Sequence, residues 1–140
     1  MAFNLLVVDD SVSMRQIIKR VISLSGFDVG TVFEAGNGKE ALAVLDDHWV
    51  DIIVTDIHMP EMNGIALLEQ VKSDQLLQAI PVVMVTTEAR EQIVDRATEL
   101  GASGYLKKPF HPEEIKQLLL SVLGVENVDV SNAESDECDF

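Results

Sequence analysis

The chain has 140 residues, 47% of them hydrophobic, which suits one domain around a single core and excludes disorder throughout. A formal net charge of −14 leaves no basic stripe to neutralise phosphates, which argues against direct nucleic-acid binding. No apolar stretch reaches the length of a membrane span and no basic region precedes a signal-peptide core, so membrane insertion is not expected and the cytoplasm is the default location.

Strands alternate with amphipathic helices along the chain. The first strand, about Asn4 to Val8, ends in Asp9-Asp10. A helix follows, with Met14, Ile17, Ile18, Val21, Ile22 and Leu24 as its apolar stripe, Ser13 and Gln16 as a capping box, and Gly26 as its stop. Thr31 to Ala35 reads as the second strand and Lys39 to Leu45 as the second helix. Ile52 to Thr55 is the third strand, closed by Asp56. Met59-Pro60 belongs to a loop, because proline disfavours helix at the residue before it, and Asn63-Gly64 turns the chain into a third helix through Leu67, Leu68 and Val71. Pro81 opens the fourth strand, Val82 to Val85. The fourth helix, about Arg90 to Leu100, ends at Gly101; Gly104 to Lys107 is a brief fifth strand. Pro112 starts the last helix, with Ile115, Leu118, Leu119 and Val122 inward and Leu120 off that stripe.

This alternation predicts an α/β domain over residues 1–123: a three-layer, doubly wound parallel sheet of five strands with right-handed crossovers and helices on both faces. From Gly124 to Phe140 the composition changes to six acids with no lysine or arginine, which reads as a flexible acidic tail. Cys138, the one cysteine, cannot form an internal disulfide and has no basic residue near it in sequence.

Ligands of open α/β sheets bind outside the carboxyl ends of the strands. Here those ends carry Asp9 and Asp10, Asp56, Thr86 with Thr87, and Lys107-Lys108 before Pro109. Any one of these has a plain explanation: Asp9 or Asp10 as a turn residue, Thr86 as a β-former, His58 as a surface histidine. Four strands agreeing on one rim is different, because three acids, a hydroxyl and an ammonium are the parts that hold a divalent ion beside a phosphoryl group.

The chain resembles the receiver domain of bacterial two-component response regulators from Phe3 to about Leu123. The resemblance is carried by Val7-Val8-Asp9-Asp10-Ser11, by Val54-Thr55-Asp56 through His58-Met59-Pro60-Glu61-Met62-Asn63-Gly64, by Val85-Thr86-Thr87-Glu88, and by Gly101-Ala102-Ser103-Gly104-Tyr105-Leu106-Lys107-Lys108-Pro109-Phe110. It implies a flavodoxin-like strand order 2-1-3-4-5. It also implies phosphorylation of Asp56 by a histidine kinase, with Mg²⁺ held by Asp10, Asp56 and the backbone carbonyl of His58, and Asp9 nearby. A cis Lys108-Pro109 bond that aims the Lys108 ammonium at the phosphate is part of the same implication.

Physical chemistry supports these roles. Two like charges about 4 Å apart cost on the order of 4 kcal/mol at an effective dielectric of about 20, so three ionised aspartates need a compensating cation. Mg²⁺ takes oxygen ligands and keeps waters, and Asp56 is then the nucleophile while the metal and Lys108 spread the charge of the transferring group. Alternation puts Lys107 and Lys108 on opposite sides, which leaves Lys107 facing solvent.

By the same resemblance, the Thr86 hydroxyl moves to bond the phosphoryl oxygen and Tyr105 rotates inward. A charged hydrogen bond contributes roughly 1.5 to 3 kcal/mol, whereas shifting a population from 1:99 to 99:1 takes about 5.5, so Thr86 cannot act alone. Lys108 pairing and repacking around Tyr105 must add to it, which makes the face of helix four, strand five and helix five the expected docking surface for a downstream protein. Leu120 is either part of that surface or an incidental exposed leucine. Thr87 stands where the family usually has a smaller residue, and His58 and Glu88 occupy positions where the family varies phosphate lifetime; both are expected to shape access of water.

Two rival classes are disfavoured. A phosphatase of the haloacid dehalogenase type needs Asp-x-Asp after the first strand, and Asp9-Asp10-Ser11-Val12 does not provide it. A binding module that is never phosphorylated has no need of Asp10, Asp56, Thr86 and Lys108 together. The expected protein is no enzyme beyond its own phosphorylation and dephosphorylation. Seventeen residues after Leu123 are too few for an output domain, so it either docks on a separate protein or relays phosphate to a histidine phosphotransfer domain.

Overall fold

The computed structural model describes residues 2–86 and 91–124. In chain order the elements are β1 (Phe3–Val8), α1 (Val12–Ser25), β2 (Val29–Ala35), α2 (Gly38–Asp47), β3 (Ile52–Asp56), α3 (Gly64–Ser73), β4 (Val82–Thr86), α4 (Glu91–Glu99), β5 (Gly104–Lys107) and α5 (Pro112–Leu123). All four strand pairings are parallel, in the order β2-β1-β3-β4-β5. This is the architecture and strand order expected from the sequence. Thr87, Glu88 and residues 125–140, which include the expected tail and Cys138, lie outside the described residues.

Side-chain alternation along the strands divides the core in two. Leu5, Val7, Ile52, Val54, Val83, Val85 and Leu106 pack with Ile18 and Ile22 of α1 and Ile115 and Leu119 of α5. Leu6, Val8, Ile53, Val82 and Met84 pack on the other face with Ala41 and Leu45 of α2, Leu67, Leu68 and Val71 of α3, and Ala97 of α4. Strands buried on both faces explain why these runs are apolar throughout instead of alternating. Each fully buried aliphatic side chain contributes roughly 1.5–3 kcal/mol, so the central strands anchor the domain.

Three readings of the sequence are corrected. The N-cap of α1 is Ser11, not Ser13: the Ser11 Oγ accepts from the Met14 N–H at 3.1 Å, and Asp9 Oδ1 accepts the Ser11 N–H at 2.9 Å, which fixes Ser11 in extended backbone. Ile17 and Leu24 are exposed at 53% and 68%. They are seven residues apart and share a line of the helix turned away from the stripe of Met14, Ile18, Val21 and Ile22, because six apolar residues in that stretch exceed one face. Leu120, read as off the stripe, is partly buried against the α1–α5 core, so it is not an incidental exposed leucine.

Gly64 is dictated by close approach. Its N–H donates to the Ile57 carbonyl at 2.8 Å, and a Cβ placed on it would collide with the carbonyl oxygen of Asp56. Gly64→Ala should therefore displace the 57–63 loop and cost about 2–3 kcal/mol in urea unfolding, far more than alanine costs at an open helix N1 position.

Candidate functional site

Strand parity gathers the site. Asp9 continues the Leu5–Val7 series just past β1, Asp56 closes the Ile52–Val54 series of β3, and Lys108 continues from Leu106 just past β5. All three therefore leave the sheet on the α1–α5 side, at its carboxyl edge. The Lys108 N–H donates to the Thr86 carbonyl at 2.8 Å, which extends the β4–β5 ladder by one step and fixes where the lysine stands. Lys108-Pro109 is cis. Lys107 is exposed, as alternation requires.

The Lys108 ammonium lies 3.0 Å from Asp9 Oδ2 and 3.8 Å from Asp56 Oδ2, with its side chain 10% exposed. Asp9 is buried, Asp56 half-buried and Asp10 exposed, yet carboxylate oxygens of all three lie within 4.8 Å of one another. Asp56 Oδ1 accepts the Ile57 N–H at 2.8 Å, and Thr55 Oγ1 donates to the Asp56 carbonyl at 2.9 Å, so the Asp56 side chain and its peptide are both held. Burial pushes the Asp56 carboxyl above the ordinary aspartate range; the Lys108 ammonium pulls it down, the Asp9 charge raises it, the Ile57 N–H lowers it and Asp10 raises it.

One ammonium facing three carboxylates leaves two negative charges uncompensated. The donors are all hard oxygens with no sulfur or imidazole among them, and Lys108 and the Ile57 N–H already hold the Asp9 and Asp56 carboxylates in place. That donor set fits a small divalent cation of the magnesium type.

Thr86 belongs to the other face, in series with Val82 and Met84, and is 1% exposed. Tyr105 pairs with Met84 in the β4–β5 ladder and packs against the same half of the core. The two residues expected to couple thus share one face of the sheet. Beside Tyr105 a crevice of about 170 Å³, lined by Val94, Ala97 and Thr98, runs between α4 and β5. His58 is exposed in the loop after Asp56.

Sequence reasoning missed Arg15. Its guanidinium donates from Nη1 to the Asp9 carbonyl and from Nε to Glu34 Oε1 at 3.0 Å, while Lys19 Nζ donates to Glu34 Oε2 at 2.9 Å. The Lys19 hydrogen bond, opposed by burial and joined by that of Arg15, holds the Glu34 carboxyl below the usual glutamate range. Arg15 therefore ties the peptide of Asp9 to the end of β2. The available signal was an arginine at the end of the first turn of the helix that follows the paired aspartates, and an acid one residue before the end of the strand beside β1. Arg15→Met keeps the aliphatic stem but frees the Asp9 carbonyl, and should lower stability by about 1–2 kcal/mol and weaken Mg²⁺ binding, read by chemical denaturation and by metal titration.

The response regulator receiver domain family matches residues 5–120. The chain belongs to the response regulator receiver domain family. This receiver domain is 43% identical over 122 residues to the chemotaxis protein CheY1 of Helicobacter pylori, an alignment covering 86% of this chain and 97% of that protein. Among solved structures it superposes on the chemotaxis protein CheY4 of Vibrio cholerae with a TM-score of 0.78 at 33% identity, covering 87% of this chain and 99% of that one. The CheX–CheY–BeF₃–Mg²⁺ complex of Borrelia burgdorferi contains a chain matched with a TM-score of 0.75 at 30% identity, covering 86% of this chain and 88% of that one. No helix among the described residues is long and apolar enough to cross a membrane.

Proposed function

We propose that this receiver domain accepts a phosphoryl group on Asp56 from a histidine kinase and signals the modified state to a separate protein. The observation that carries the reading is the Asp9–Asp56–Lys108 constellation on one side of the sheet edge, with Asp10 beside it. In the reaction an Asp56 carboxylate oxygen attacks phosphorus, the nitrogen–phosphorus bond of a phosphohistidine breaks, and the imidazole leaves with the electron pair. Asp9, Asp10, Asp56 and the backbone carbonyl of His58 would hold Mg²⁺, which when bound neutralises charge on the phosphoryl oxygens. Lys108 supplies a fixed ammonium to a transferring oxygen, and Asp9 holds that ammonium in place. The protein is a single-turnover acceptor, not an enzyme with a separate substrate, and the Borrelia burgdorferi complex, named for its beryllofluoride and magnesium, supports the same chemistry here.

The switch runs through the face shared by Thr86 and Tyr105. A phosphoryl oxygen at Asp56 gives the Thr86 hydroxyl a charged acceptor, and movement of Thr86 alters the packing that Tyr105 shares with α4. The surface of α4, β5 and α5 is then where a downstream protein reads the difference. Thr87, Glu88 and His58 adjust how long the phosphate lasts through access of water. Residues 1–123 form the receiver unit.

Incubation with acetyl phosphate tests the reading. Labelling should require Mg²⁺ and be abolished by EDTA. Label that forms equally without metal would contradict it, and label that passes rapidly to a histidine phosphotransfer domain would assign a relay in place of direct docking.

A further inference from the structure

At the opposite edge of the sheet, a groove of about 460 Å³ lies between the α2–β3 and α3–β4 connections, lined by Leu45, Trp49, Val50, Leu77, Ile80 and Pro81. The chain's one tryptophan, Trp49, is 77% exposed here, and Leu76 is 90% exposed beside the same groove. The Trp49 indole is not loose: its Nε1–H donates to Asp51 Oδ1 at 2.9 Å, while Asp51 Oδ2 accepts the Asn4 N–H at 2.7 Å. The aromatic face is therefore held outward with its polar edge already satisfied. Large aromatic side chains presented rigidly with an aliphatic neighbour are the usual anchors of protein interfaces.

The carboxylates on the lining of the groove outnumber the one ammonium near it, that of Lys72, which is already engaged by the Gln78 and Ile80 carbonyls at 3.1 and 3.2 Å. Asp46, Asp51 and Asp74 line it, no lysine or arginine does, and no ion pair among the described residues involves any of the three. We infer that this groove docks a cationic segment of a partner protein, one that lays an aliphatic side chain against Trp49 and Leu76 and brings arginine or lysine to the aspartate rim. An arginine also fits over the exposed indole face, where the ring quadrupole attracts a cation. β3 separates the groove from Asp56 by five residues, roughly 15 Å of strand, so a segment bound here leaves the phosphorylation site open. The surface is distinct from the α4–β5–α5 face and does not depend on the phosphorylation reading.

Because Trp49 is the sole tryptophan, its emission reports occupancy directly. The intact chain should be titrated with a short amidated peptide alternating arginine with leucine, and with a control alternating glutamate with leucine. The arginine peptide should give a saturable blue shift, weakened about tenfold by Asp46→Lys and by Leu76→Ser, and weakened by added salt. Both positions are exposed, and a lysine in the last turn of α2 suits the helix dipole, so neither variant should disturb folding or labelling of Asp56. Absence of a saturable shift, or equal binding of the glutamate peptide, would overturn the proposal. Self-association of the protein alone that shifts Trp49 and is lost in Arg20→Glu would also overturn it, by assigning the groove to the basic α1 of a second copy.

Discussion

Replacing Lys108 by methionine should slow acetyl-phosphate labelling of Asp56 by about two orders of magnitude and destabilise the metal-free protein by about 3 kcal/mol. Both effects follow from one ammonium. Its side chain is 10% exposed and pairs at 3.0 Å with Asp9, which is 2% exposed. Without the lysine, the Asp9 carboxylate keeps the Ser11 N–H but loses its cation, and a buried charge stripped of its partner is among the costliest single changes. Methionine fills the stem volume, so the loss isolates charge from packing. Saturating Mg²⁺ should restore much of the stability but little of the rate, because the metal offsets the carboxylates while the ammonium acts on the transferring oxygen. Rate from acetyl-phosphate time courses and stability from urea titrations, each with and without Mg²⁺, check the pair of effects. Equal recovery of both in Mg²⁺ would place Lys108 in the fold alone.

Asp56→Asn should do the opposite to stability while abolishing labelling. Burial, opposed by Lys108 and aided by Asp9, raises the Asp56 pKa above the ordinary value of 3.8 in the folded protein. The folded state therefore binds the proton more tightly than the unfolded state, and stability falls as pH rises from 3.8 through the raised folded value. Above that window the full cost of ionising Asp56 is present; below 3.8 it is absent. Asparagine keeps an oxygen for the Ile57 N–H and carries no charge. In EDTA at neutral pH the variant should be more stable than the parent by about 1–2 kcal/mol, a gain that disappears in acid below the ordinary aspartate range. Mg²⁺ should close the gap from the other side, since it binds the folded parent more tightly than the variant. Thermal unfolding across pH with and without metal gives the sign. A variant less stable than its parent at neutral pH would mean that Lys108 outweighs burial at this carboxylate.

Asp9, Asp56 and Lys108 were legible in the sequence because two simple periodicities locate them. Apolar runs fix the strands, the carboxyl-edge rule selects their ends, and alternation decides the side on which each end residue leaves. Thr86 was legible as the polar end of the fourth strand, whereas its coupling to Tyr105 came from the family resemblance alone; the shared face of the two is visible only in the fold. Ser11 was missed because Ser11 and Ser13 are equally good caps locally, and the choice rests on Asp9 accepting the Ser11 N–H. Ile17 and Leu24 were misplaced because a hydropathy stripe does not say how wide the buried contact is; α5 and the sheet cover Ile18 and Ile22 and stop short of the next line. Leu120 failed in the other direction, lying at the edge of the stripe but still against the α1–α5 core. Arg15 on α1 reaches Glu34 on β2, nineteen residues on, so the two read as a pair only once those elements are packed together. Trp49 carried no sequence signal of its own, and its exposure depends on how two loops meet at the far edge of the sheet.

Peptide mapping of the labelled protein tests the central claim most directly. After incubation with acetyl phosphate and Mg²⁺, mass spectrometry should find one acid-stable, hydroxylamine-labile phosphoryl adduct on the peptide containing Asp56, and none on that peptide in Asp56→Asn. An adduct that maps to Asp9, Asp10 or a histidine, or labelling that persists unchanged in Asp56→Asn, would contradict it.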